Sequence, residues 1–117
     1  MSDTASPPIT WDDFAKVDVR LGTIVKAQPF EQARKPAFQL WIEFAPPLGI
    51  KKSSAQVTAH YTPEELVGRR VAAVVNFPPK QIGPFMSEVL CLGFPDRDGE
   101  VVLLTIDRPA PNGGRLY

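Results

Sequence analysis

Few residues of this chain can do covalent chemistry, and none is arranged to do it. His60 is the only histidine and adjoins Tyr61. A general base needs a nucleophile within hydrogen-bond reach, and no serine or cysteine here has spacing that suggests a triad. Cys91 lies in the apolar run VLCLGF, where a thiol behaves as a small core hydrophobe. One cysteine makes no internal disulfide, and no Cys/His cluster has zinc spacing. The paired carboxylates Asp12–Asp13 and Glu64–Glu65 fall in the first turns of two expected short helices, where the helix dipole accounts for them. The glycines of PNGG are not followed by the lysine of a phosphate-cradling loop. We therefore expect no catalytic residue, no metal and no cofactor.

Binding chemistry is better represented. The run IKKSSAQVT (50–58) supplies Lys51, Lys52, Ser54 and Gln56. Lysines contact phosphates as point charges, while hydroxyls and amides reach sugars or bases. The same residue types also make an ordinary solvated strand face. Formal net charge is zero, which argues against a nonspecific grip on nucleic acid. Its distribution is uneven: residues 20–80 hold nine basic and four acidic side chains, a net of +5 balanced by the flanks. A basic middle either presents one positive face or is surface scatter.

A second binding signal is VVNFPPKQIGPFMSEVLCLG (74–93). Pro78 and Pro79 stop a strand and remove backbone donors. The chain is then expected to leave as a loop carrying Lys80, Gln81, Phe85 and Met86. Methionine and phenylalanine suit adaptable contact with apolar peptide, so the loop either rims a polypeptide pocket or lets Phe85 plug one barrel end.

The elements that must position these residues are short. With 117 residues and 44% hydrophobic composition, one compact domain with a real core is expected. Thr10 and Asp13 fit a capping box for a first helix, with Ile9 and Phe14 as a staple. VDVRLGTIVKA alternates as a half-buried strand with Val17, Val19, Leu21 and Val25 inward, and Gly22 permits a bend or close approach. FQLWIEF places Phe38, Leu40, Ile42 and Phe44 inward. Trp41 then faces outward and needs a packed loop or helix, a dimer contact or a stacked base. KKSSAQVTA is a third strand. Thr62, Pro63 and Glu65 start a second helix that Tyr61 and Leu66 staple and Gly68 ends. VAAVVNF, EVLCLGF and VVLLTI complete the strands. A short helix between strands three and four, with short connections throughout, is the pattern of an all-β OB-fold, a five-stranded Greek-key barrel.

No apolar run approaches the ~18 residues of a membrane span, so no membrane insertion is expected. The segment MSDTASPPIT lacks the basic and apolar regions of a signal peptide, so the chain is expected to be cytoplasmic. Residues 1–8 read as a flexible tail and 9–117 as the domain with its terminal extensions.

Taken together, FAKVDVRLGTIVKA, IKKSSAQVT, VVNFPPKQIGPFMSEVLCLG and RPAPNGGRL resemble the CsaA family across residues 10–116. These are export-related bacterial chaperones built like the tRNA-binding domain appended to some methionyl- and phenylalanyl-tRNA synthetases. VDVRLGTI marks the wider domain; SSAQVT, NFPPKQIGPFMSEVLCLG and the PNG ending are more specific to CsaA. The resemblance implies a homodimer that binds tRNA and unfolded or pre-export polypeptides. It implies tRNA-facing roles for Lys51, Lys52, Ser53, Ser54, Gln56, Asn76, Lys80 and Ser87. The candidate peptide contacts are Phe77, Gln81, Phe85 and Met86. RPAPNGGRLY is expected to be an arm able to cross to a second subunit. The alternative is a module whose main role is RNA binding.

Overall fold

The structure, a computed structural model, describes residues 5–117. The first four residues of the expected tail lie outside that range, and residues 5–8 are exposed without regular structure. In chain order the elements are α1 (Trp11–Ala15), β1 (Val19–Pro29), β2 (Phe38–Glu43), β3 (Ile50–Ala55), α2 (Pro63–Leu66), β4 (Arg70–Val74), β5 (Lys80–Ile82), β6 (Phe85–Ser87), β7 (Leu90–Cys91), β8 (Gly93–Pro95) and β9 (Val101–Leu103). Five strands form an antiparallel sheet in the order β3-β2-β1-β4-β7, which curls into a nearly closed OB-type barrel. The seam between β3 and the 87–89 segment mixes backbone and side-chain bonds. Glu88 and Val89 N–H groups donate to the Lys52 carbonyl at 2.8 and 3.2 Å. Lys52 N–H donates to Glu88 Oε1, and Ser54 N–H to Ser87 Oγ, both at 3.0 Å.

Local chemistry sets both helices. Thr10 and Asp13 exchange the two bonds of a capping box, as do Thr62 and Glu65. Leu66 is fully buried, Tyr61 packs on the same core, and Gly68 leaves α2 at φ +92°. The first staple does not form: Ile9 is exposed, and the Phe14 ring sits 5.4 Å from Trp11 instead. β2 obeys its alternation, with Phe38, Leu40, Ile42 and then Phe44 in the core.

β1 departs from its expected facing. Gly22 and Ile24 point into the barrel, while Val17 and Val25 are exposed. A Cβ on Gly22 would come within 2.6 Å of Ile42 and 2.8 Å of Phe44, so the missing side chain admits those two. Alternation from Ile24 turns Val25 outward, and a register shift between Ile24 and Lys26 keeps Lys26 on that outer face opposite Trp41.

The segment after Pro79 is not a loop. β5 and β6 pair as a hairpin, Lys80 with Ser87 and Ile82 with Phe85. Gly83, at φ +54°, takes the first turn position, which glycine occupies without strain.

The C-terminal residues lie along β1 of their own barrel. Gly113 N–H donates to Leu21 O, Leu21 N–H to Gly114 O, and Leu116 N–H to Val19 O. Asp18 ties the arm's base, with Arg20 Nε at 2.6 Å and Arg115 Nε at 3.6 Å. The Arg20 hydrogen bond holds the Asp18 carboxyl below its ordinary value against the opposing effect of burial, and the charges of Arg20 and Arg115 assist. A depressed carboxyl stabilises above its unfolded-state value, and that contribution is lost as pH falls through the lowered one. Asp18→Asn should therefore flatten the acid limb of the urea-midpoint profile below about pH 4 and leave its neutral slope unchanged.

With the core side of β1 and β4 taken by alternate residues, the other side is also apolar. Register pairs Val19 with Val74, Leu21 with Ala72, Val74 with Leu90 and Phe94 with Val102. Leu92 bridges Ala72 and Leu104. Phe94 is 64% exposed and Val102 43%. A sheet apolar on both faces reads in sequence as continuous hydrophobic runs, as VAAVV, VLCLGF and VVLLTI do.

Candidate nucleic-acid interface

The outer face of β1–β3 is built in cross-strand rows. Lys26, Trp41 and Lys52 form one row, and Gln28, Gln39 and Ser54 the next. Trp41 finds its partner in the β5–β6 hairpin: its ring meets Phe85 edge-on at 5.7 Å, and Phe30 meets Phe85 at 5.4 Å. Lys26 Nζ lies 4.5 Å from the Trp41 ring centre and Lys52 Nζ 5.3 Å from that of Phe85, both within cation–π range.

Beside this cluster lies a cleft of ≈ 700 Å³. The β1–β2 loop contributes Gln32, Arg34 and Lys35, the β3 side Ser54 and Gln56, and the hairpin Lys80 and Gln81. Three cations and four hydroxyl or amide side chains converge there, the donor set that phosphates, sugars and base edges require. No charged partner of Arg34, Lys35 or Lys80 occurs among the described residues.

The sequence-derived candidates divide. Ser54, Gln56 and Lys80 line the cleft; Lys52 stands over Phe85, and Ser87 joins the hairpin to β3 through Ser54. Lys51 does not share the Lys52 face, because it registers with inward-facing Ile42. Ser53 is fully buried and its hydroxyl has no partner, so it presents nothing to a ligand. An orphaned buried hydroxyl costs desolvation, so Ser53→Ala should raise unfolding stability by about 1 kcal/mol, read by urea denaturation. Asn76 has its amide committed: Oδ1 accepts from Asp18 N–H at 3.0 Å and Nδ2 donates to Lys16 O at 2.7 Å.

The peptide candidates also separate. Phe85 is 5% exposed and belongs to a buried cluster with Phe30 and Ala37, so it plugs the hairpin and offers no apolar surface. Gln81 lines the polar cleft and Met86 is partly exposed. Phe77, 53% exposed, lines a separate apolar groove with Pro78, Val89 and Leu90. Arg34 and Lys35 were not among the sequence-derived sites. Their signal was an adjacent basic pair in the loop entering the second strand, one of the two loops that OB barrels use for ligands.

His60 Nε2 lies 2.6 Å from Asp96 Oδ2, and burial pushes the Cys91 thiol up to about 12, out of nucleophilic range near neutrality.

This fold and surface define a small OB-type barrel with a cationic cleft beside its second and third strands. Residues 19–115 match the family described as a putative tRNA binding domain. The crystal structure of the chaperone CsaA from Bacillus anthracis is 46% identical, with TM-score 0.88 over 95% of this chain and all of that one. The CsaA chaperone from Picrophilus torridus is 48% identical, with TM-score 0.87 over 94% of this chain and all of that one. The methionine–tRNA ligase of Leptospira biflexa is 38% identical over 108 residues, 92% of this chain. The chain spans only 15–16% of the methionine–tRNA ligases it matches. It belongs to the tRNA-binding-domain family and, within it, to the CsaA proteins.

Proposed function

We propose that the protein is a non-enzymatic, cytoplasmic chaperone of the CsaA type, a homodimer that holds unfolded or pre-export polypeptides and also binds tRNA. The observation that carries this reading is the division of one barrel surface into a cationic cleft and an exposed apolar sheet face. Phosphates suit the first. The second exposes the cross-strand pair Phe94–Val102 and, beside the C-terminal arm, Ile106, exposed apolar side chains of the kind that mark protein contact. A second copy related by a twofold axis covers the Phe94–Val102 end of that face with a self-complementary surface and leaves the Leu90 end open. The C-terminal arm lies at its edge, with Leu116 and Tyr117 exposed, and supports the same interface. The competing reading, a module whose main work is RNA binding, draws on the cleft and the family description.

Light scattering during size exclusion, run beside a client-aggregation assay, separates the two. A particle of twice the 12.9 kDa chain mass is expected, together with suppression of aggregation. Phe94→Asp with Val102→Asp should yield monomers. A wild-type protein that binds tRNA yet runs as a monomer and leaves aggregation unchanged would establish the RNA-binding reading instead.

A further inference from the structure

Lys80 lines two clefts at once: the polar one with Arg34 and Lys35, and the apolar groove of ≈ 440 Å³ beside it. In that groove Phe77, Pro78, Val89 and Leu90 form an apolar surface, with Leu90 47% exposed. Its one acidic side chain, Glu88, is turned to the barrel seam, where Oε1 accepts from Lys52 N–H. The groove therefore presents an apolar surface and a single cation that has no ion-pair partner among the described residues.

We propose that this groove takes an extended apolar peptide carrying one carboxylate side chain, which Lys80 contacts, and that tRNA and such a peptide weaken each other's binding. The inference rests on the proposed chaperone and tRNA-binding reading and names its regulation. Charge complementarity selects the occupant: an apolar segment covers Phe77 and Leu90, and only an anion answers Lys80. The lysine ammonium is a compact charge on a flexible stem. Swung toward the cleft it meets an RNA phosphate; swung toward the groove it meets a carboxylate. One ammonium cannot neutralise both, and linkage requires the resulting penalty to be the same in either direction.

Fluorescence anisotropy with two labelled nonapeptides of leucine, valine and phenylalanine, one with a central aspartate and one with asparagine, tests this against bulk tRNA. The aspartate peptide should bind about five- to tenfold tighter than its asparagine twin at low salt. Saturating tRNA should erase that advantage, and the aspartate peptide should weaken tRNA by the same factor. Lys80→Gln, at an exposed position, should abolish both the preference and the coupling with an unchanged thermal midpoint. Arg34→Gln with Lys35→Gln should weaken tRNA and preserve the peptide preference. Equal binding of the two peptides, or tRNA and the aspartate peptide bound together at undiminished affinity, overturns the inference and leaves the chaperone reading standing. Binding of neither peptide removes both.

Discussion

Replacing Arg34, Lys35 and Lys80 together by glutamine should lower tRNA affinity by about a hundredfold at low salt, and flatten the salt dependence. Each phosphate a cation neutralises contributes roughly 0.7–0.9 to the slope of log affinity against log salt. Three lost contacts therefore remove about two to three units of that slope. All three side chains are exposed on loops or a hairpin edge, so the substitutions should leave the fold intact. The control is Lys51→Gln. Its neighbour Lys52 stays over Phe85, while Lys51 lies on the Ile42 side of β3 and should change affinity less than twofold. Filter-binding isotherms at several salt concentrations measure both quantities. An unchanged slope in the triple variant would move the RNA site elsewhere on the barrel.

Phe85→Ala should be the most damaging single change at the surface cluster, costing about 3–5 kcal/mol of unfolding free energy. Its ring is the shared contact of Phe30 and Trp41 and carries Lys52 on its face. Truncation removes the buried side chain that, with the partly buried Ile82, seats β5–β6 over the outer strands. Urea denaturation should show the loss, and hydrogen exchange should show amides 80–87 opening before those of β1 and β2. Met86→Ala, next along the hairpin but 37% exposed, should cost under about 1 kcal/mol. If the two variants cost the same, Phe85 is not the anchor. The consequence for function is practical: a serine at Phe85 tests the hairpin's stability, and Phe77 or Leu90 is the position that tests peptide contact.

Much of the fold was legible because its signals are local. Capping boxes at Thr10 and Thr62 act within three residues, and the alternation of FQLWIEF is set by strand pleat alone. The facing of β1 is not local, because its inward set depends on Gly22 receiving Ile42 and Phe44, residues about twenty positions away. The hairpin is hidden from a local reading because Pro78 and Pro79 signal a break in regular structure. The Gly83–Pro84 turn and the seating of Phe85 on Trp41 restore it.

The candidate site divides along the same line. Residue types alone determined that the chain offers cations, amides and hydroxyls in its middle, and its motifs placed it among the CsaA proteins. Only the tertiary structure decided which of those groups share a surface. Strand alternation sends Lys51 and Lys52 to opposite faces and buries Ser53, and backbone bonds occupy Asn76. Packing of a loop and a hairpin over the outer strands brings Arg34 and Lys35 to Lys80 across some 45 residues of chain. Pleat and capping are fixed by neighbours in sequence, whereas a cleft is fixed by whichever distant elements bury their apolar sides against each other.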